Sequence, residues 1–212
     1  MPDKTPVEAI QEALKAGSER GFKESVEVSI NLKDIDLALP KNRVEEEVTL
    51  PKGRGKPIKV AVFGSQELVA KIKGVADLTV LADQMDEYFK DKRASRKRVA
   101  SIDFFLAEAP LMPMIGKRLG PVLGPRGKMP RPIPPGSDPT STIASLKKTV
   151  RVRNRGKRTF HVPLGTRDMS ADDLAANLQS VLDRVVGKLE RGRSNVASVY
   201  VKTSMGSAVR MW

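Results

Sequence analysis

Between Leu111 and Pro135 the chain reads LMPMIGKRLGPVLGPRGKMPRPIPP. These 25 residues hold four glycines, seven prolines and five basic residues (Lys117, Arg118, Arg126, Lys128, Arg131), with no acidic residue among them. Each proline removes a backbone donor and drives the residue before it towards extended geometry, while each glycine opens positive φ or a close backbone approach. The stretch therefore cannot be one ordinary helix or strand. Its apolar residues, among them Met112, Ile115, Leu119, Leu123 and Met129, argue against disorder. The expectation is an ordered, cationic connection.

The sequence around it alternates strand and helix signals. Ile58 to Gly64 is a nearly continuous apolar run, followed by Ser65 as N-cap and a helix through Leu68, Val69 and Ile72. Leu78 to Leu81 and Ile102 to Leu106 supply two further strands, Met85 to Phe89 belongs to a helix, and Thr140 to Lys148 reads as a closing helix. That pattern predicts a small, mostly parallel sheet covered by helices. The basic run Arg93 to Arg98 is either a solvated charged face or a phosphate contact.

Outside this region the pattern changes. Thr5-Pro6-Val7-Glu8 is a capping box with proline at the first helical position, so a helix starts there and turns Ile10, Ala13 and Leu14 inward. Val26, Val28, Ile30 and Leu32 alternate with Ser25, Glu27, Ser29 and Asn31, which predicts a half-buried strand. A second alternating run covers Val44 to Leu50, and Pro51 to Pro57 is dense in breakers. Beyond Val150, Arg151 to Arg155 alternates, Gly156 turns the chain, and Thr159 to Val162 is expected to answer as the partner strand. Ser170 caps an amphipathic helix carrying Leu174, Leu178, Val181, Leu182 and Val185, and Val196 to Val201 and Ala208 to Met211 finish as strands.

The first 54 residues offer too little apolar surface to fold alone, so residues 1–54 and 150–212 are expected to form one discontinuous domain, with 55–149 inserted into it. Charge is distributed unevenly over these segments. The net charge is +13, with 9 basic and 11 acidic residues over 1–54, 17 and 9 over 55–149, and 12 and 5 over 150–212. Such an excess points to a polyanion, most simply nucleic acid. There is no cysteine and one histidine, His161, so thiolate and multi-histidine metal sites are excluded. No cofactor is implied. No run approaches the roughly 18 apolar residues of a membrane span, and the N-terminus carries no secretory pattern.

Gly124-Pro125-Arg126-Gly127-Lys128-Met129-Pro130 resembles the middle-domain signature of the ribosomal L-one family, the stalk proteins of the large subunit. It lies in the family's order between a Phe22 to Leu32 segment and a Thr203-Ser204-Met205-Gly206 turn, so the resemblance covers nearly the whole chain and has an archaeal flavour. It implies an α/β protein: an α+β terminal domain with the split topology of the RNA-recognition sheet module, and an inserted three-layer, Rossmann-like middle domain. The implied function is a structural constituent of the large subunit that binds rRNA of the mobile stalk near the E site and assists release of deacylated tRNA. Some family members also repress translation of an mRNA whose site imitates the rRNA. The implied partners are large-subunit rRNA, E-site tRNA and the protein's own mRNA. The protein would be a monomer when free, make no membrane contact and sit in the cytoplasm on the ribosome.

Carried over residue by residue, the resemblance implies an RNA surface of Phe22, Glu27, Arg153, Asn154, His161, Ser198, Thr203, Ser204, Met205 and Gly206. Without it, Phe22 reads more readily as a core plug and Glu27 as a solvated strand residue. With nine aromatic residues in the chain, a multi-ring stacking platform is not expected, and recognition by shape, phosphate and 2′-hydroxyl fits better. Phe22 and the Ser204 to Gly206 turn are expected on one surface. As an exposed turn, it is expected to tolerate Met205→Asp and Gly206→Val without loss of the fold. Gly124, Pro125, Arg126, Gly127 and Lys128 are accessory, shaping the opening between domains or the approach to RNA. Two alternatives stand beside this reading. One is a nucleotide-binding enzyme, which lacks the Gly-x-x-x-x-Gly-Lys-Ser/Thr spacing and an acid–base constellation. The other is an mRNA- or DNA-binding regulator outside the ribosome.

Overall fold

The computed structural model describes residues 4–18, 20–72, 74–84, 92–134 and 137–212. The chain divides into two compact units, Met1–Lys56 with Lys148–Trp212, and Pro57–Lys147.

The first unit opens with helix α1 (Pro6–Ala16), started by the expected capping box: Thr5 Oγ1 accepts from Glu8 N and Glu8 Oε2 accepts from Thr5 N. Strand β1 (Ser25–Leu32) alternates without a break, its even positions buried and its odd ones half-exposed. It lies between β8 (Thr159–Thr166) and β9 (Val196–Thr203), with β10 (Val209–Arg210) outside β9, in an antiparallel sheet of order β10-β9-β1-β8. Helix α6 (Ala171–Lys188), capped by Ser170 Oγ accepting from Asp173 N, packs with α1 on one face of that sheet. There Ile10 and Ala13 meet Val28, Ile30, Leu178 and Val181. Among the described residues of this unit, no helix covers the other face.

Strands β2 (Glu45–Thr49) and β7 (Thr149–Arg153) form a separate two-stranded ribbon. The expected pairing of β7 with the Thr159 to Val162 strand is therefore corrected. The register sets Arg153 opposite Glu45 and Arg151 opposite Glu47, with charge-pair distances of 2.7 and 3.3 Å. A hairpin with β8 would oppose these arginines to Thr159 and His161, whereas β8 completes the main core with Phe160, Val162 and Leu164. Long-range complementarity thus overrides the local turn signal at Gly156. Asn177 of α6 is fully buried and clamps the chain near the end of β2, with Nδ2 donating to Gly53 O and Leu164 O and Oδ1 accepting from Lys52 N.

The second unit holds a parallel sheet of order β4-β3-β5-β6, made of β3 (Val60–Gly64), β4 (Leu78–Leu81), β5 (Phe104–Glu108) and β6 (Arg131–Ile133). Alternate residues of β3 enter opposite cores. Ala61 and Phe63 join Phe105, Ile115 and Leu119, while Val60 and Val62 join Leu68, Ile72, Ile143 and Leu146. Helices α3 (Lys92–Ser101) and α4 (Met112–Leu123) serve the first core, α2 (Gln66–Lys71) and α5 (Thr140–Leu146) the second. The three-layer α/β expectation holds. The third strand begins at Phe104, two residues later than expected, and the helix expected over Met85 to Phe89 falls outside the described residues.

The expectation of a mere connection over Leu111 to Pro135 is corrected for half its length, because Met112–Leu123 is a helix. Pro113 lies in the first turn, where its missing N–H would have no partner in any case. Pro121 lies inside the helix near its end, where interior proline ordinarily costs about 3 kcal/mol. Burial of Ile115, Leu119 and Leu123, spaced four apart on one face, is worth about 1.5–3 kcal/mol per side chain and outweighs that cost.

Candidate nucleic-acid interface

The turn that follows β9 is tied to the start of β1 by a group the sequence reading passed over. Glu24 is 1% exposed. Its Oε1 accepts from Met205 N at 3.1 Å, and its Oε2 accepts from Arg167 Nη1 at 3.2 Å. Arg167 also donates to Gly17 O and Ser18 O, both at 2.7 Å, and to Leu14 O at 3.4 Å, satisfying carbonyls at the end of α1. One ion pair thus fixes the helix end, the strand start and the turn.

Beside it, Ser204 N donates to Ser25 O at 2.9 Å, and Ser204 Oγ accepts from Ser25 N at 3.2 Å. Thr203 is fully buried, and its Oγ1 accepts from Gly206 N at 3.0 Å. The hydroxyls of Thr203 and Ser204 therefore hold the turn in place, and the side chain it presents outward is Met205, 59% exposed. A Cβ on Gly206 would lie 2.4 Å from Thr203 Oγ1, so the expectation that Gly206→Val is harmless to the fold is corrected: the turn is exposed on one side only.

Phe22 stands in the segment leading into β1 and is 55% exposed, so it is no core plug. With Arg20, Lys23, Glu24 and Arg167 it lines an open depression of about 550 Å³. Glu24, two residues on from Phe22, is the group that bonds Met205 N. Lys56 adds a cation, its Nζ donating to Ser25 Oγ at 2.7 Å.

On the helix-free face of the sheet, strand register sets three rows across β9, β1 and β8. Ser198 faces Asn31 and Thr159; Tyr200 faces Ser29 and His161; Lys202 faces Glu27 and Pro163. Asn31 Nδ2 donates to Ser198 Oγ, and Thr159 Oγ1 donates to Asn31 Oδ1, both at 2.7 Å. Glu27, Ser198 and His161 thus share one face. Sequence reasoning missed Tyr200, although the period of two through Ser198 and Lys202 marks it as outward-facing.

Arg153 and Asn154 do not join that face. Arg153 is on the β2–β7 ribbon with Glu45, and Asn154 follows it, buried, with Oδ1 accepting from Gly156 N at 3.4 Å. Its Nδ2 has no acceptor among the described residues. Asn154 props a turn in which Arg155 and Gly156 both adopt positive φ.

In the second unit the signature closes α4. Gly124 approaches Gly120 O so closely that a Cβ would lie 2.8 Å from it, and Gly127 has φ +62°. Pro125 and Arg126 are exposed at the bend between them. Lys128 Nζ donates to Val99 O and Ala100 O at 3.0 and 3.2 Å, and to Ile102 O, capping the C-terminal end of α3, where a cation is favoured. The strand order of this sheet reverses between β3 and β5, the place where α/β sheets bind ligands beyond their strand ends. Here Ser65, the N-cap residue of α2 as expected, gives its side chain no bond to the helix; its Oγ donates instead to Glu108 Oε1 at 2.7 Å, which sets a carboxylate at this strand end. Among the described residues no helix is long and apolar enough to cross a membrane, and no group of three or more His, Asp or Glu could hold a metal ion.

Comparison with known proteins agrees with this architecture. The model of the Ribosomal protein L1p/L10e family matches residues 14–207. The large ribosomal subunit protein uL1 of Thermoplasma acidophilum is 55% identical over 203 residues, covering 96% of this chain and 94% of the relative. That of Archaeoglobus fulgidus is 48% identical, covering 97% and 96%, and that of Methanocella arvoryzae is 44% identical over the full length of both chains. The chain belongs to the Ribosomal protein L1p/L10e family, in its archaeal type. This is a family of ribosomal proteins and not of enzymes, and the nucleotide-enzyme alternative is set aside.

Proposed function

We propose that this protein is a constituent of the large ribosomal subunit and that the discontinuous unit, residues 1–56 with 148–212, is its rRNA-binding domain. The RNA would be that of the mobile stalk beside the E site, where the protein would assist departure of deacylated tRNA. An mRNA imitating the stalk site would engage the same surface, which gives the route to repression of its own message. What supports the reading is that Phe22 and Met205 are both exposed apolar side chains and that Glu24, two residues after Phe22 and paired with Arg167, bonds the Met205 amide. Exposed apolar groups on a rigid support, beside Lys56 and a polar sheet face, suit nucleobases and sugars at close range with phosphates at the rim.

Binding of the stalk segment of large-subunit rRNA to wild type and Met205→Asp tests it, alongside thermal melting. Met205→Asp should melt as wild type, having no buried side chain to lose, and bind by about 1–3 kcal/mol more weakly, the scale of a single base contact. Wild-type affinity in a folded Met205→Asp protein would remove this surface from the account. Recovery of the protein in salt-washed large subunits separates the ribosomal reading from a regulator outside the ribosome.

A further inference from the structure

The helix-free face of the four-stranded sheet holds a residue that neither family membership nor the turn explains. Tyr200 occupies the middle of β9, half-exposed, with Ser29 directly opposite on β1, exposed His161 opposite Ser29 on β8, and Arg210 on its other side on β10. Neighbouring strands lie about 4.8 Å apart, so the backbones of Tyr200 and His161 stand roughly 10 Å apart with the short Ser29 side chain between them. We infer that Tyr200, with His161 beside it, is a stacking platform for an unpaired nucleobase. The inference rests on the RNA-binding reading above and extends it from the turn to the sheet face.

The rows on either side give the platform its chemistry. Asn31 polarises the hydroxyls next to it: Ser198 Oγ accepts from Asn31 and keeps its hydrogen to donate, while Thr159 Oγ1 donates to Asn31 and keeps its lone pairs. One fixed donor and one fixed acceptor match a 2′-hydroxyl, which is both, or the edge of a base. On the opposite side, Lys202 supplies a cation for phosphate and Glu27 an acceptor for base amino groups or sugar hydroxyls. The side chains of Tyr200, Lys202 and Glu27 have no hydrogen-bonded partner among the described residues. A tyrosine in this setting has no core to fill, because the inward positions Val199 and Val201 on the same strand do that. Aromatic side chains on an open sheet face are the means by which RNA-binding sheets hold single-stranded bases.

The test uses the full chain and the stalk segment of large-subunit rRNA. Tyr200→Phe should bind as wild type, since the ring is kept. Tyr200→Leu and Tyr200→Ala should bind roughly 5- to 150-fold more weakly, the range of one lost base stack, with His161→Ala weakened in the same direction. Ultraviolet crosslinking of the wild-type complex should place a nucleotide on the peptide containing Tyr200. Replacing that nucleotide by an abasic one should weaken wild type to the level of Tyr200→Ala and leave Tyr200→Ala unchanged. If folded Tyr200→Ala and Tyr200→Leu bind as wild type while Met205→Asp does not, the platform is refuted and the RNA-binding reading stands. If wild type itself fails to bind, both fall.

Discussion

Removing the Glu24 carboxylate should cost more than any other single change at the proposed interface. In Glu24→Ala three things are lost together: the ion pair to Arg167 at 3.2 Å, the acceptor for Met205 N at 3.1 Å, and the longer contact to Arg20 Nε at 3.7 Å. The carboxylate side chain is fully buried and that of Arg167 is 27% exposed, so Arg167 retains some water as well as the α1 carbonyls. Breaking a buried pair from one side costs about 3–5 kcal/mol. Partial exposure of the arginine puts the expectation near the lower end, about 3 kcal/mol, or roughly a 10 °C fall in melting temperature for a unit of this size. Trp212 is the chain's one tryptophan and belongs to the same unit, so its fluorescence in a urea titration reads the loss where it occurs. Glu24→Gln keeps the shape and an acceptor but not the charge, and should cost about 1–2 kcal/mol. Glu24→Ala, assayed where it is still folded, should bind stalk rRNA more weakly, because Met205 N is released from its acceptor, while Glu24→Gln, which keeps an acceptor, should lose less. A Glu24→Ala protein within about 0.5 kcal/mol of wild type, the range of ordinary surface substitutions, would refute the claim that this pair holds the turn.

Three further outcomes follow from the same geometry. Gly206→Ala and Gly206→Val should each destabilise by about 1–3 kcal/mol, through the 2.4 Å approach to Thr203 and loss of its hydrogen bond; unchanged urea midpoints would show that the turn yields freely. Lys128→Ala should speed amide hydrogen exchange in the last turn of α3 and destabilise the second unit by about 1–2 kcal/mol, while Arg126→Ala should leave that exchange as it was. Glu46 is held below its usual pKa, first by the hydrogen bond from Arg184 and then, against the opposing effect of burial, by Lys188. A depressed folded-state value stabilises above the unfolded value and is lost as pH falls through the folded one. The melting-temperature gap between wild type and Glu46→Gln should therefore be full at pH 6 and close as the pH drops well below 4.

What the sequence revealed was whatever nearest neighbours decide. The capping box at Thr5, the unbroken alternation of β1 and the apolar spacing of α6 each rest on residues within a few positions of one another, and each element stands where those residues put it. Two misreadings share one cause. Helix α4 carries two prolines and two glycines, which local propensity rejects, but it buries Ile115, Leu119 and Leu123 against a sheet that propensity does not register. The Gly156 turn announces a β7–β8 hairpin, yet β7 finds its complementary charges on β2, about a hundred residues earlier. Tyr200 is a different case: its outward position was legible from the period of two, and what could not be read was the company it keeps on β1 and β8.

The proposed interface is supported by buried polar groups, and these are what a single sequence hides best. Glu24 sits 181 positions from the amide it fixes, Ser204 is 179 from the strand it latches, and Asn195, 2% exposed, spans 162 and 161 to hold the backbone of Lys33 and Asp34. In sequence each is a polar residue in or beside a loop, with nothing to mark its distant partner. Asn195 fixes the far end of β1, while Glu24 and Ser204 remove freedom from the segments that carry Phe22 and Met205, so that these two are presented without further ordering cost when a ligand arrives. This division of labour explains why the turn's two hydroxyl residues point inward while its methionine points out. Thr203 and Ser204 spend their hydrogen bonds on the protein, so Ser204→Thr, which keeps the hydroxyl, should preserve both stability and RNA affinity. Ser204→Ala should instead weaken both together by about 1 kcal/mol; loss of affinity without loss of stability would mean that the Ser204 hydroxyl faces the RNA and that the latch to β1 is incidental.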